Sequence, residues 1–353
     1  MRTAILYSEK LREYDLGHVL SGDRYGAFMK VFREKLGDHP AFQVVEPPSA
    51  THQDLMMVHQ EEYIRRVERC ESRDPDTPLN PGVIRSTKLM AGAGKLAGEL
   101  VHSGKYQKAA VIGGGVQHAG RHYEKGFGVF SDVGLCGENL MQNYGVEKIL
   151  ILDFDAHAGD GIYQIFAKDP RVLFISLHQD TRTLYPGPSY QNPMGEGEGL
   201  GYSLNIPLPP RTGDEAYGYV LDHLISPLAQ EFQPEIILMV DGSDPHFIDR
   251  ITQMGVTLQG LYMIGARVRQ IAREVTEGRV VSFNGSGYDP RGILFPLGWL
   301  ASICGLAGIE ISLEEPYPLP PDLHSDKGLE RTRKIVEEIR KKYAPYWKCL
   351  ADS

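Results

Sequence analysis

An α/β architecture, with a mainly parallel β-sheet flanked by helices on both faces, is the fold class this sequence predicts. Three observations carry it. Short apolar runs enriched in β-branched residues recur along the chain, and longer segments with helical spacing separate them. Five of these runs end in clusters of glycine, acidic residues, histidine or tyrosine. Strands alternating with helices imply a sheet covered on both sides.

The elements follow in order. The opening MRTAILYSEKLREYD has a short apolar stretch that meets charges at once and shows no small-residue cleavage site. It reads as a strand, Thr3–Tyr7, and not as a signal peptide. Val83–His102, rich in Ala, Leu and Lys, has helical spacing. Strands are expected at Ala109–Ile112, Lys148–Asp155 and Val172–Ser176. A helix over Asp214–Phe232 begins with an acidic residue suited to an N-cap and precedes a strand at Glu235–Val240. Leu258–Glu277 repeats the helical pattern and stops at Gly278, before the strand Arg279–Phe283. The proline-rich EPYPLPPD (315–322) closes the main body. Leu329, Thr332, Val336, Ile339 and Tyr343 then fall on one stripe of a final amphipathic helix. The expected organisation is a catalytic domain over residues 1–316, with residues 317–353 packing back onto it.

Composition narrows the function classes. The chain has 353 residues, 42% hydrophobic and 24% charged, enough for a substantial core. Its net charge is −9 without a long basic block, which argues against a broad nucleic-acid surface. No run approaches the roughly 18 apolar residues that a membrane span needs. The four cysteines (Cys70, Cys136, Cys304, Cys349) are far apart and form no CxxC pair, so a reducing cytoplasm is the expected setting. Any metal must therefore be held by histidine and carboxylates.

In open α/β sheets, ligands bind at the carboxyl ends of the strands. There the sequence places Gln117 and His118 after GGGV, and Asp153, Asp155, His157 and Asp160 in DFDAHAGDG. Ser176, Leu177 and His178 follow the next strand. Asp241, Asp244, His246 and Asp249 lie in DGSDPHFID, and Tyr288 in NGSGYDPRG. Residues two apart in extended chain point the same way, so Asp155 and His157 can meet one ion, with Asp244 as the third ligand. This donor set suits Zn²⁺, Fe²⁺ or Mn²⁺. Asp153 either orients a polar neighbour or helps bind a second, monovalent cation. Asp160 at a helix start is either a dipole partner or a functional carboxylate. His118, on a glycine loop, is a candidate general base, and Tyr288 a candidate oxyanion donor.

The runs GGGVQHA, GFGVFSD, DFDAHAGDG, LYPG, GSDPHFID and GSGY stand in the order and rough spacing of a known family. The sequence resembles the metal-dependent histone deacetylase superfamily, which includes prokaryotic acetoin-utilisation-type proteins and acetylpolyamine amidohydrolases. The resemblance spans roughly residues 14 to 310. It implies an arginase/deacetylase-like fold and hydrolysis of an acylated amine, such as acetyl-lysine. By position it implies Asp155, His157 and Asp244 as ligands of Zn²⁺ (or Fe²⁺), His118 with Asp160 as general base and acid, and Tyr288 as oxyanion donor. Phe127 and Tyr185 match the walls of a substrate channel, with Asp76 and Ile251 at its rim. Asp153, Asp155, His157, Ser176 and Leu177 match a structural K⁺ site, and Arg24 an arginine below the metal.

Two departures stand out. Gln117 replaces the first histidine of the family's tandem pair, and Ala158 replaces the histidine of H-H-G-D-G. The position of Ala158 is not a ligand. Gln117 can donate a hydrogen bond but cannot become a cation, so reduced or redirected activity is expected. The usual Gly-Gly-Gly-Gly-Tyr is also altered to Gly285-Ser286-Gly287-Tyr288, which keeps the tyrosine. Two alternatives stay open: a catalytically weak acyl-lysine-binding or regulatory homologue, and an arginase-like ureohydrolase. The final helix offers a contact for a homo-oligomer.

Overall fold

A computed structural model describes residues 2–191, 193–289 and 291–351. Eight strands form one sheet: β1 (Thr3–Leu6), β2 (Phe42–Val45), β3 (Lys108–Ile112), β4 (Ile149–Asp153), β5 (Val172–Gln179), β6 (Ser203–Leu208), β7 (Ile236–Asp241) and β8 (Val280–Asn284). Their spatial order is β2-β1-β3-β8-β7-β4-β5-β6, and every pairing is parallel.

The six expected runs are β1, β3, β4, β5, β7 and β8. The sequence reading missed β2 and β6, which are the two edges of the sheet. β2 is four residues long and only partly buried. β6 contains Pro207, which weakens the strand signal but is tolerated at an edge, where one row of backbone groups is unpaired. Two boundaries also move. The chain leaves the sheet after Asp153, so Asp155 sits in the following loop. β5 runs on to Gln179, which puts His178 inside a buried strand and not beyond its end.

Helices cover both faces, and the central strands alternate between two apolar clusters. Ile149 and Ile151 of β4 pack with Leu238, Val240 and Phe283 on one side. Leu150 and Leu152 pack with Ile175, Ile237 and Met239 on the other. This alternation is why the strands read as unbroken apolar runs. The expected helix over 214–232 contains a π-turn at Leu221–Ile225, just before Pro227, which has no N–H to give. Asp214 does not cap that helix. Its carboxylate accepts from the Thr257 backbone N–H (2.9 Å) and hydroxyl (2.6 Å), tying down the start of the helix Leu258–Val275. The final helix, Leu329–Tyr343, buries Ile335, Val336, Ile339 and Tyr343 against the second cluster.

The topology fixes where a site can form. From β4 the chain proceeds outward through β5 and β6, whereas from β7 it proceeds the opposite way to β8. β4 and β7 are neighbours, so their following loops part and leave a crevice between them.

Candidate functional site

That crevice holds Asp155 and His157 from the loop after β4 and Asp244 from the loop after β7. One ligand atom from each lies within 4.8 Å of the others, and all three residues are buried. His157 Nδ1 is 2.9 Å from Asp155 Oδ1 and 3.0 Å from Asp244 Oδ2. The backbone N–H of His157 donates to Asp155 Oδ1 (2.8 Å), and Ser286 Oγ donates to Asp244 Oδ1 (2.7 Å). Among the described residues, no lysine or arginine forms an ion pair with either acid. Burial opposes charge on His157, but hydrogen bonds to Asp155 and Asp244 outweigh it and push its pKa up to about 10. Burial and the neighbouring Asp155 raise the pKa of Asp244. Two buried carboxylates around one imidazole call for a positive charge, so the donor set fits a divalent cation.

Beneath them, Asp153 is fully buried. Its carboxylate accepts from Ser176 Oγ (2.9 Å) and from the Asp155 N–H (3.2 Å). Burial, then the neighbouring Asp155, raises its pKa well above the usual range. A Cβ at position 159 would lie 2.4 Å from Asp153 Oδ2, so Gly159 is required there. Asp153 and Ser176 thus meet as expected, and among the described residues no lysine or arginine pairs with Asp153, an arrangement compatible with a monovalent ion. The Leu177 side chain lies in the second apolar cluster, which leaves only its backbone to serve such a site.

His118 reaches the crevice from the loop after β3. Asp132 holds that loop by accepting from the N–H groups of Gly115 (2.8 Å) and Val116 (3.3 Å). A Cβ on Gly114 would fall 2.5 Å from the same carboxylate. His118 Nδ1 is 2.6 Å from Asp160 Oδ1, and Lys125 Nζ donates to Asp160 Oδ2. Burial alone would raise the pKa of Asp160, but His118 and Lys125 hold it low. Gln117 is buried against the cavity. Among the described residues its amide has no protein hydrogen-bond partner, and Asp153 bonds elsewhere.

A tight turn brings Phe127 into place. Gly126 (φ 53°) and Phe127 (φ 69°) are both left-handed, and Lys125 and Gly128 exchange backbone hydrogen bonds of 2.9 Å. A Cβ on Gly126 would sit 2.5 Å from the His118 ring, so only glycine lets the turn pass under it. Thr77 Oγ1 accepts from the Phe127 N–H (3.0 Å), which pins the strained residue.

Phe127, Tyr185, Tyr288, Gln117, His118 and His157 line a cavity of about 230 Å³. Asp76 and Ile251 also line it, and Ile251 is partly exposed. The Tyr185 ring meets His118 edge-on at 5.1 Å, and Phe127 lies 5.9 Å from Tyr288. The Tyr288 N–H donates to Asp249 Oδ2 (2.6 Å), fixing the loop that presents the phenol. Burial, with Asp155 and Asp244 nearby, raises the Tyr288 pKa well above its usual value, so the phenol keeps its proton. Arg24 donates to the Gly287 carbonyl and lies over the rings of Phe295 (4.7 Å) and Tyr288 (5.5 Å).

The sequence reading missed four supporting residues: Lys125, Asp132, Ser286, and Asp249 as the anchor of Tyr288. Asp132, Ser286 and Asp249 lie in runs already singled out (GFGVFSD, GSGY and GSDPHFID), whereas Lys125, directly before Gly-Phe-Gly, lies outside them. Its partner is 35 residues away, and no spacing rule connects them.

A parallel α/β sheet with a buried Asp-His-Asp cluster at its switch point defines a class of metal-site proteins. Comparison with known proteins makes this specific. Residues 18–296 match the model of the histone deacetylase domain. The chain is 35% identical to a probable deacetylase of Archaeoglobus fulgidus, covering 99% of this chain and all of that one. It is 30% identical to the acetoin utilization protein AcuC of Staphylococcus xylosus, over 97% of this chain and 96% of the relative. In fold it is similar to the HD domain of HDA15, with a TM-score of 0.84, 24% identity, and coverage of 99% of this chain and 96% of that one. The chain belongs to the histone deacetylase family. Among the described residues, no helix is long and apolar enough to cross a membrane.

Proposed function

We propose that the protein hydrolyses an acylated amine, removing acetyl from acetyl-lysine or from a small acetylated amine. One observation carries this reading: the Asp155–His157–Asp244 cluster (through Asp155 and His157), the His118–Asp160 pair (through His118) and Tyr288 all border one narrow aromatic-walled cavity. A divalent ion, Zn²⁺ or Fe²⁺, held by Asp155, His157 and Asp244 would supply Lewis acidity for the attacking water and the amide carbonyl. The chain's own residues do the rest. Asp160 accepts a hydrogen bond from the Nδ1–H of His118, leaving Nε2 to take a proton from the attacking water. Tyr288, protonated, donates to the developing oxyanion. His118 then returns the proton to the departing amine. Phe127 and Tyr185 admit a slim aliphatic acylamine and exclude bulky chains. Asp153 and Ser176, with backbone of the same loops, would hold K⁺ and so brace the ligand loop from below.

The test is a set of acyl-lysine peptides and acetylated polyamines offered to protein loaded with Zn²⁺ or Fe²⁺. Turnover that disappears on chelation and returns with metal supports the reading. Full activity in metal-free protein overturns it. Gln117 favours one second reading, a weak or non-catalytic acyl-lysine binder. That reading predicts tight hydroxamate binding with negligible turnover on every substrate offered.

A further inference from the structure

We propose that Lys125 is a positioning residue which locks the proton-transfer pair to the channel wall; this rests on the hydrolytic reading above. Four side chains form a closed circuit. Lys125 Nζ donates to Asp160 Oδ2, and Asp160 Oδ1 holds His118 Nδ1 at 2.6 Å. The His118 ring meets Tyr185 edge-on at 5.1 Å, and Lys125 Nζ lies 5.3 Å from the centre of the Tyr185 ring.

Each link has a physical reason. Asp160 is buried at the start of the helix Asp160–Phe166, where an unused carboxylate oxygen would be left poorly solvated. With Oδ2 taken by Lys125, only Oδ1 faces the imidazole. His118 then has one orientation and one tautomer, with Nε2 open to the cavity. The ammonium on the Tyr185 face adds a cation–π contact, so the wall and the base are held by the same group. Lys125 is itself held by the paired backbone bonds of its turn, and the next residue, Gly126, passes under the His118 ring. On the other side of His118, Gln117 cannot carry charge, which leaves Lys125 as the cation that fixes this pair.

The experiment compares the full chain, metal-loaded, with Lys125→Met and Lys125→Arg. Lys125→Met is expected to lower kcat about 10–100-fold with KM within about twofold, as expected for loss of an orienting partner. Lys125→Arg, which keeps a cation for both Asp160 and Tyr185, is expected to restore most of the loss. Proton NMR gives a readout independent of turnover. The strongly hydrogen-bonded His118 Nδ1 proton should be visible in the parent and in Lys125→Arg, and lost to solvent exchange in Lys125→Met. An unchanged kcat and Nδ1 signal in Lys125→Met would overturn the proposal. So would a rise in KM alone, which would make Lys125 a substrate contact. If the parent itself turns over no acylamine, the hydrolytic reading fails. The Nδ1 signal then decides by itself whether Lys125 positions His118.

Discussion

Two buried histidines stand about 6.0 Å apart, ring to ring, in different electrostatic company. His157 lies between two carboxylates, Asp155 and Asp244, and among the described residues no lysine or arginine pairs with either. His118 has one carboxylate, Asp160, whose second oxygen is already taken by Lys125. The first arrangement carries surplus negative charge in a region that cannot solvate it, and that suits a bound cation. The second is close to neutral when the imidazole is uncharged, and that suits a group which takes up a proton and gives it back. The count of acids and cations around each ring therefore separates two roles that residue type alone does not.

Metal content and turnover together can break this comparison. Asp244→Ala is expected to have the largest effect, with hydrolysis below about one-thousandth of the parent and the divalent ion lost. His118→Ala should lower kcat about 10²–10⁴-fold, the usual share of a general base, while the protein keeps its full complement of ion. Atomic absorption on both variants is the check. Stoichiometric metal in Asp244→Ala, or metal lost in His118→Ala, would mean that the two histidines are not divided as proposed.

A smaller effect is expected beside them. Gln117→His adds a group that can become a cation near the cavity, but Asp153 is already occupied by Ser176 Oγ and the Asp155 N–H. The substitution should therefore raise kcat by no more than about tenfold, a fraction of what a placed acid or base gives. A much larger gain would show that His118 cannot carry the proton transfers alone. A loss of activity would show that the neutral amide is needed where it stands.

Much of this site was legible in the sequence because it obeys short-range rules. Asp155 and His157 are two apart on one loop, and Asp244 follows a neighbouring buried strand, so alternation and the strand-end rule bring them together. The same rules placed His118 and Tyr288. The central strands read clearly because both faces are buried, whereas the edge strands β2 and β6 carry weaker patterns and were missed. Lys125, Asp132 and Ser286 were illegible for another reason. Each acts on a partner distant in sequence or through a backbone group, as Asp132 does on Gly115 and Ser286 on Asp244 across 42 residues. Asp214 looked like a helix cap, and its bonds to Thr257 depend on how two helices pack.

The smallest expected effect uses Asp241, the last residue of β7, as an internal control. Asp241 lies three residues before Asp244, fully buried, and its Oδ2 accepts from Ser302 Oγ and from Asn284 Nδ2 (3.1 Å). Among the described residues its side-chain hydrogen-bond partners are hydroxyls and an amide, none of them a cation or an imidazole. Burial raises its pKa from 3.8 to about 7 despite those hydrogen bonds. A carboxyl whose folded pKa lies above its unfolded value binds more protons when folded. Its contribution is thus present below about pH 4 and lost as pH rises through about 7. Relative to Asp241→Asn, the parent should lose on the order of 2–4 kcal/mol of stability across that window. Urea unfolding of both proteins at the two ends of the window measures the difference directly. A difference that stays constant with pH would mean that Asp241 is ionised throughout. Hydroxyl and amide donors would then suffice to hold a buried carboxylate charged in this crevice, and the surplus charge around His157 would no longer single it out as the cation site.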